Sequence, residues 1–183
     1  MAEVMADEQI GNGGKGMNRV GFITAVCTSP VGGVPKYPQE QVQVGLHGLV
    51  GDYHNRELRP SHNKSRLGVL MPNNDRHITM VAEEVYASLN AELGTALKAG
   101  DFGENILVKG MDNLGDIPSD ARLMIDDGLV VLRVTEQNDP CKNLSPYHRL
   151  LVKKVYGRRG LLCAIKFGRS CFLRPGLSIV AAW

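Results

Sequence analysis

Cys141 is the residue whose type and position point most directly to chemistry. It lies in a short polar turn, Asn138-Asp139-Pro140-Cys141-Lys142. A thiolate is a nucleophile and a ligand for soft metals, and neighbouring cations favour it over the thiol. From Cys141 to Trp183 the sequence has nine basic residues and no acidic residue. The turn therefore predicts a reactive thiol at the start of a cationic segment.

The charges are distributed unequally along the chain. The whole sequence carries 21 Lys and Arg against 19 Asp and Glu, a net charge of +2. Because every acidic residue precedes Cys141, residues 1–140 carry −7 and the rest carries +9. Nucleic-acid-binding surfaces are cationic throughout, so the pattern favours a local site for a phosphate, a sulfur oxyanion or a cofactor tail. The alternative is a solvated helix face with scattered cations at strand ends.

Length and composition predict one domain. The 183 residues are 43% hydrophobic, enough for a core that folds unaided. Four cysteines without a Cys-x-x-Cys pair do not form a disulfide scaffold, which predicts a cytoplasmic protein. No apolar run approaches the roughly 18 residues of a membrane span, and the N-terminus lacks a signal-peptide core. We expect a disordered leader over residues 1–18, a single domain over 19–183, and neither membrane nor nucleic acid as a partner.

Two helices are predicted among the connections. The first covers Val81–Leu93, with apolar residues at every fourth position and Gly94 as its stop. The second covers Pro146–Tyr156, where Ser145 would cap the free amides at a contribution of about 1 kcal/mol.

The remaining elements are strands separated by turns. Asp127-Gly128 suits a tight hairpin turn between two apolar strands. Val20–Cys27 alternates in a way that would place Phe22, Thr24 and Val26 on one face. The predicted strands are Val20–Cys27, Gln41–Leu46, Leu67–Leu70, Arg122–Ile125, Leu129–Val134, Leu161–Phe167 and Leu177–Ala181. The fold class is mainly β: a closed or partly open β-barrel with two or three short helices in its connections.

Three local clusters could carry chemistry: Gly51–His54, Asp101–Asn105 and Asp139–Cys141. In the second cluster, Gly103 can adopt a backbone conformation closed to other residues, and a carboxylate and an amide follow it. Each cluster alone is also compatible with a simple turn, a strand entry or a cysteine in the core.

In order, the three clusters resemble the MOSC domain family, named after the C-terminal domain of molybdenum cofactor sulfurase. The most specific part is Phe-Gly-Glu-Asn at residues 102–105, followed downstream by Pro140-Cys141. The resemblance extends over Arg19–Val180 and includes Gly51–His54, Arg76–Val81, Gly100–Ile106, Gly110, Val134-Thr135, Pro140-Cys141, Gly157–Gly160 and Gly176.

The resemblance implies a MOSC-like β-barrel and a role in molybdenum cofactor chemistry. In the family, the cysteine that matches Cys141 is held to carry sulfur or to ligate molybdenum in the pterin cofactor. One implied function is a molybdenum-dependent oxidoreductase that reduces N-hydroxylated or amidoxime compounds with a redox partner. The other is a sulfur transferase or a non-catalytic carrier of sulfur or cofactor, served by a desulfurase partner.

Two departures from the family pattern stand out. The pyridoxal-phosphate desulfurase domain of the larger relatives has no counterpart in this sequence, so pyridoxal phosphate is only a family association and is not expected here. The arginine that many relatives have before Pro-Cys is Asp139, an anion beside the thiol, which Lys142 could offset.

The predicted site contains Cys141 as catalytic thiol or metal ligand. Anion or cofactor contacts are predicted for Arg133, Lys142, Arg158 and Arg159, with Arg66, Arg76 and Lys109 as weaker candidates. Glu104 and Asn105 are expected to order the site rather than contact the ligand, and His54 is the histidine expected to take part. A competing hypothesis is a structural zinc site formed by Cys163, Cys171 and two of His54, His62 and His77.

Overall fold

The structure, a computed structural model, describes residues 18–61, 65 and 68–183, so the predicted leader lies outside the described residues apart from Asn18. No helix in this part of the chain is long and apolar enough to cross a membrane. The helices are α1 (Glu83–Leu93) and α2 (Leu151–Lys154). The strands are β1 (Asn18–Thr28), β2 (Tyr37–Gln39), β3 (Val42–Gln43), β4 (Leu58–Pro60), β5 (Leu70–Pro72), β6 (Ile78–Ala82), β7 (Ile106–Lys109), β8 (Arg122–Ile125), β9 (Val130–Gln137), β10 (Leu161–Phe167), β11 (Phe172–Leu173) and β12 (Ser178–Ala182).

Seven strands form a closed barrel. Their order is β1-β12-β8-β9-β10-β6-β7, and β7 pairs back onto β1. All neighbours are antiparallel except β6 and β7, which are parallel because α1 connects them as a crossover. β2 extends the sheet from the far end of β1, while β3 pairs with β11 and β4 with β5. The predicted mainly β barrel is confirmed, in its closed form.

The phase of β1 differs from the prediction. Ile23 is buried while Phe22 is exposed, so Phe22 points out of the barrel. The pairing of β1 with β7 shifts register between Ile23 and Ala25, and after this irregularity both Ala25 and Val26 are buried. The prediction that Phe22, Thr24 and Val26 share one face is therefore wrong, because a bulge interrupts the two-residue period.

The first helix matches its prediction at the C-terminal end. Gly94 ends α1 in the left-handed conformation, with φ of 64°. At the N-terminal end, Val81 belongs to β6, because it pairs with Leu107 and is buried in the barrel.

The second predicted helix is wrong in its length and in its cap. Only Leu151–Lys154 is α-helical, and a 3-10 turn occupies Lys142–Leu144. The Ser145 hydroxyl donates a hydrogen bond to the Lys142 carbonyl oxygen at 2.8 Å, within this preceding turn. Ser145 therefore closes the 3-10 turn and does not cap a helix.

The predicted hairpin is confirmed by β8 and β9. Its connection contains Asp126, Asp127 and Gly128 with φ of 50°, 53° and 91°. β10 has the predicted bounds, and β12 lies one residue later than expected. The strand predicted at Gln41–Leu46 is shorter, and the one predicted at Leu67–Leu70 begins at its last residue; Leu67 lies outside the described residues.

Candidate functional site

A pocket of about 490 Å³ opens where β9 ends and β10 begins. The pairing of neighbouring barrel strands fixes the ends of β6, β9 and β10. The loops around these ends supply most of the pocket lining. Its lining residues are Gly33, Val34, Tyr53, His54, Arg56, Arg59, Pro60, Asn73, Arg76, Thr79, Phe102, Gly103, Glu136, Gln137, Asn138, Asp139, Cys141, Asn143, Arg159 and Leu162. The pocket therefore contains one thiol, one imidazole and four guanidinium groups.

Cys141 lies at the edge of this pocket, half-buried, immediately before the 3-10 turn Lys142–Leu144. The turn is held to the core because Leu144 is fully buried and its amide donates to the Cys141 carbonyl at 3.1 Å. The Asp139 side chain of the same segment is exposed to solvent. The sequence prediction that placed Cys141 in a site-forming turn is thus matched by a position facing a pocket.

Arg159 is the cation that the fold brings to Cys141. Its Nη1 donates to the Asp139 carbonyl oxygen and its Nη2 donates to the Phe102 carbonyl oxygen at 3.3 Å. Burial lowers the pKa of Arg159, and the negative charge of a Cys141 thiolate is the strongest of the influences that oppose this shift. The guanidinium thus connects two walls of the pocket at which Cys141 lies.

Three further arginines line the pocket, and sequence reasoning missed Arg56 and Arg59. Arg59 makes bonds of 3.1 and 3.2 Å to the two carboxylate oxygens of Asp75, and Arg76 pairs with Glu136 at 2.7 Å. Arg56 stacks on Tyr53 at 3.5 Å from the ring centroid and has no carboxylate partner among the described residues. The long polar loop after residue 53 was the signal that could have indicated these residues.

Two arginine donors of this pocket are buried without a partner in the described part of the chain. The Nε atoms of Arg76 and Arg159 have no hydrogen-bond acceptor within the described part of the chain. A buried donor left unpaired costs about 1–3 kcal/mol, so an acceptor from a ligand or water would stabilise the site. Both arginines line the pocket.

A buried ion pair underlies the His54 side of the pocket. Lys36 Nζ lies 2.9 Å from Asp52 Oδ2, and both side chains are almost completely buried. Burial alone would raise the pKa of Asp52, but the hydrogen bond from His54 and the Lys36 charge outweigh it and lower this pKa below its ordinary value. Burial lowers the pKa of Lys36, and Asp52 opposes that shift. Nothing in the local sequence around Lys36 indicated a buried lysine.

The same carboxylate fixes the tautomer of His54. His54 Nδ1 lies 3.1 Å from Asp52 Oδ1 and 3.4 Å from Lys36 Nζ. Because an ionised carboxylate only accepts, Nδ1 carries the proton and donates to Asp52. In the neutral imidazole, Nε2 is then the acceptor. His54, predicted as a site residue, thus adds a hydrogen-bond acceptor to a pocket rich in donors.

Glu104 is buried behind the pocket and does not line it. Its carboxylate accepts from the Gly100 amide at 2.6 Å, the Tyr86 hydroxyl at 2.9 Å and the Phe102 amide at 3.2 Å. Burial raises its pKa, while these bonds act in the opposite direction. Gly103, which does line the pocket, has φ of 77°, the left-handed conformation expected for it.

Asn105 is also buried and connects three strands. Its amide nitrogen donates to the Cys27 carbonyl at 3.1 Å, and its Oδ1 accepts from the Thr79 amide at 3.1 Å. These bonds link β1 and β6 to the start of β7. The positions of Glu104 and Asn105 suit the ordering role predicted for both residues.

Several predicted anion contacts are not brought to this pocket. Lys142 and Lys109 are exposed and outside its lining, and Arg66 lies outside the described residues. Arg158 pairs with Glu92 of α1 at 3.4 Å. Arg133 projects elsewhere on the barrel surface and pairs with Asp120 at 2.6 Å. The roles predicted for them find no support in the pocket's geometry.

The hypothetical zinc site does not assemble from those of its candidate ligands that the structure describes. Among residues 18–61, 65 and 68–183, no group of three or more His, Cys, Asp or Glu side chains could hold a metal ion. His77 Nε2 donates to the Asn73 carbonyl at 2.7 Å and its Nδ1 accepts from the Ile165 amide at 3.0 Å. His62 lies outside the described residues.

The arginine side chains and the thiol of the pocket suit an anionic ligand that contains a soft metal ion or a sulfur atom. Arginine side chains recognise phosphate-type oxygens, and a thiolate binds soft metals or sulfur. The Nε–H groups of Arg76 and Arg159 are buried without an acceptor among the described residues, and both side chains line the same pocket. The residues present therefore fit a phosphate-bearing metal cofactor better than an apolar ligand.

Comparisons with known proteins identify the family of the chain and structures that share its fold. The family model described as the MOSC domain matches residues 63–176. YuaD from Bacillus subtilis is similar in structure, with a TM-score of 0.75 and 18% identity over 92% of this chain and 99% of that one. YiiM from Geobacillus stearothermophilus has a TM-score of 0.60 and 19% identity over 90% and 75% of the two chains. YiiM from Escherichia coli has a TM-score of 0.55 and 15% identity over 88% and 69%. A search of curated proteins finds no significant match.

Proposed function

The chain belongs to the MOSC domain family, and we propose that its pocket binds the molybdenum cofactor with the Cys141 thiolate as a metal ligand. The observation that carries the proposal is the arrangement of Cys141 and Arg159 at one pocket that also contains Arg56, Arg59 and Arg76. When bound, the cofactor would supply a metal centre able to accept and release electrons. Reduction of N-hydroxylated compounds is the activity that we propose for this centre, with electrons supplied by a separate redox protein.

The residues that line the pocket would make different contacts with the cofactor, according to the chemistry of their side chains. Arg56 lacks a carboxylate partner among the described residues, so its guanidinium is available to a ligand anion. Arg76 and Arg159 would each offer a buried Nε–H. Arg159 would also place a positive charge at the pocket that contains Cys141, and His54 Nε2 would accept a hydrogen bond from the ligand.

A second candidate function is transport of sulfur on Cys141. It is favoured by the half-exposed position of this thiol beside Arg159, because a persulfide formed there would remain accessible from the pocket. In that case a desulfurase partner would donate the sulfur atom, and the chain would be a carrier. Neither candidate requires pyridoxal phosphate in this chain.

Metal analysis of the purified protein tests the first function. The chain should be produced in cells that make the cofactor, and molybdenum per chain measured by mass spectrometry. We expect near-stoichiometric metal in the wild type, almost none in Cys141→Ala, and an unchanged content in Cys171→Ala. Cys171 is a suitable control because it is also half-buried but lies outside the pocket lining. Arg159→Gln should retain less metal than the wild type.

The two candidates give different outcomes in the same preparations. Molybdenum that depends on Cys141, together with reduction of an amidoxime by an artificial electron donor, supports the enzyme. A wild type without molybdenum, but with one extra sulfur atom on Cys141 by peptide mass spectrometry, supports the carrier. Equal metal and sulfur loading in the wild type and Cys141→Ala would contradict both.

A further inference from the structure

The segment that follows Cys141 forms both a wall of the pocket and a part of the outer surface. Cys141 and Asn143 line the pocket, whereas Lys142 between them is exposed and lies outside the lining. The segment continues through the 3-10 turn and α2 to Tyr156 without any acidic residue. A partner protein bound to the outer side of this wall would therefore lie next to the site.

The inner side of this segment is packed against the rest of the protein. Leu151 and Val155 are completely buried. At the end of α2, Lys154 and Arg158 both form ion pairs with Glu92 of α1. These contacts hold the segment against the core and α1, so its outer side chains are presented on a preformed surface. A preformed surface reduces the ordering cost of binding.

The outer side of the segment exposes cations next to an aromatic ring. Arg149 and Lys153 are exposed and lie four residues apart, so they are neighbours on a helical turn. Tyr156 follows three residues after Lys153 and is 77% exposed. Neither cation has an ion-pair partner among the described residues. Arginine and tyrosine are enriched in protein interfaces, so this side has the composition of a docking surface.

The charge of this surface indicates the chemistry of its partner. Lys142, Arg149 and Lys153 are exposed cations without an ion-pair partner among the described residues, and the neighbouring helix α1 contains glutamates and no basic residue. Opposite charges steer two proteins together and fix their orientation. We propose that Lys142, Arg149, Lys153 and Tyr156 form the docking surface for an acidic electron-transfer protein that supplies the pocket containing Cys141.

This inference rests on the proposed reductase function. Conversion of an N–OH group to N–H and water takes up two electrons and two protons. The docked protein would be oxidised as it supplies the electrons, and solvent would supply the protons. The docking surface itself is a property of this chain's own side chains, so its association with a partner can be measured with or without cofactor in the pocket.

Reversal of two charges tests the surface in the full-length protein. The first double variant is Arg149→Glu with Lys153→Glu, and Lys142 is left unchanged because it adjoins Cys141. The matched control is Arg122→Glu with Lys166→Glu, which reverses two exposed cations elsewhere on the barrel and gives the same net charge. The probes are a purified acidic ferredoxin and a purified acidic flavodoxin. Surface plasmon resonance at low and high salt measures the association rate constant.

We expect the wild type to associate with one of these carriers, and more slowly at high salt. The variant with Arg149→Glu and Lys153→Glu should associate about tenfold more slowly or worse at low salt. The control variant should associate like the wild type. Both variants should unfold cooperatively. Both should also retain the molybdenum content of the wild type and its activity with a small artificial electron donor, which needs no docking surface.

Failure of the surface and failure of the proposed function give different results. A wild type without molybdenum contradicts the function. Association with neither carrier, equal association of the wild type and the first double variant, or equal losses in both double variants would overturn the docking surface. Binding to phosphatidylglycerol vesicles in preference to both carriers would also overturn it, and would assign these cations to a membrane surface.

Discussion

The buried and the open sides of the pocket are built from similar residue types and behave differently. On the buried side, Lys36 and Asp52 pair at 2.9 Å, and Glu104 accepts three hydrogen bonds. On the open side, Cys141 is half-exposed and the Nε of Arg159 has no acceptor among the described residues. Fully paired buried groups stabilise one arrangement of the loops, whereas unpaired groups at a pocket surface are available to a ligand.

This difference separates the polar residues that stabilise the fold from those that could bind a ligand. Among the segments that resemble the family, Asp52, Glu104 and Asn105 are satisfied within the protein. Their contribution is to place His54 and Gly103 at the pocket. Substitution on the buried side should therefore change stability, and substitution on the open side should change ligand binding.

The largest expected effect on stability comes from Lys36→Met. It leaves the Asp52 carboxylate buried without its cation, which should lower the free energy of unfolding by about 3–5 kcal/mol. Urea denaturation measures this change. Lys142→Met is the matched control, because Lys142 is exposed outside the pocket lining and its loss should cost about 0.5 kcal/mol or less.

The double variant Lys36→Met with Asp52→Asn sharpens the result. Removing both charges should recover about half of the loss or more, since the cost of Lys36→Met lies in the uncompensated carboxylate. No recovery would mean that Lys36 stabilises the fold by packing alone.

Acid should weaken the buried side through Asp52. Its folded-state pKa lies below the ordinary value of about 3.9, because the hydrogen bond from His54 and the Lys36 charge outweigh burial. The associated stability is complete above about pH 4 and is lost as the pH falls toward the folded-state pKa. Urea denaturation between pH 5 and pH 2 should show a steeper loss for the wild type than for the double variant. Parallel curves would contradict this role of Asp52.

The smallest effect is expected at Ser145, which ends the 3-10 turn after Cys141. Its hydroxyl donates to the Lys142 carbonyl in an exposed turn, so Ser145→Ala should cost about 0.5 kcal/mol or less. A true helix N-cap would cost about 1 kcal/mol. Differential scanning calorimetry distinguishes the two, and the larger value would restore the helix predicted to begin at Pro146.

Local patterns predicted most of the barrel. The hairpin of β8 and β9 follows from Asp127-Gly128 between apolar strands, and β10 follows from its apolar run Leu161–Ile165. The errors occur where long-range pairing overrides the local pattern. The irregularity after Ile23 changes the phase of β1, and the pairing of Val81 with Leu107 assigns a predicted helical residue to β6.

The site was predicted in part, because sequence position does not specify which face a charge occupies. Cys141, Arg159 and His54 are brought to one pocket. Arg133 and Arg158, close to Cys141 in sequence, pair instead with Asp120 and Glu92. Arg56, Arg59 and Arg76 line the pocket in their place. They come from the segment between β3 and β6, which only the closed barrel brings beside β9.

The pairing of β1 with β12 has a consequence for synthesis of the chain on the ribosome. Asn18 is the register partner of Ala182, so the backbone edge of β1 that pairs with β12 stays unpaired until β12 has been synthesised. Until β12 emerges, β1 and β8 both present unpaired backbone edges, which are prone to pairing with other chains. Barrel closure therefore cannot precede the emergence of β12, and aggregation of nascent chains should increase with the time that β1 and β8 remain without it.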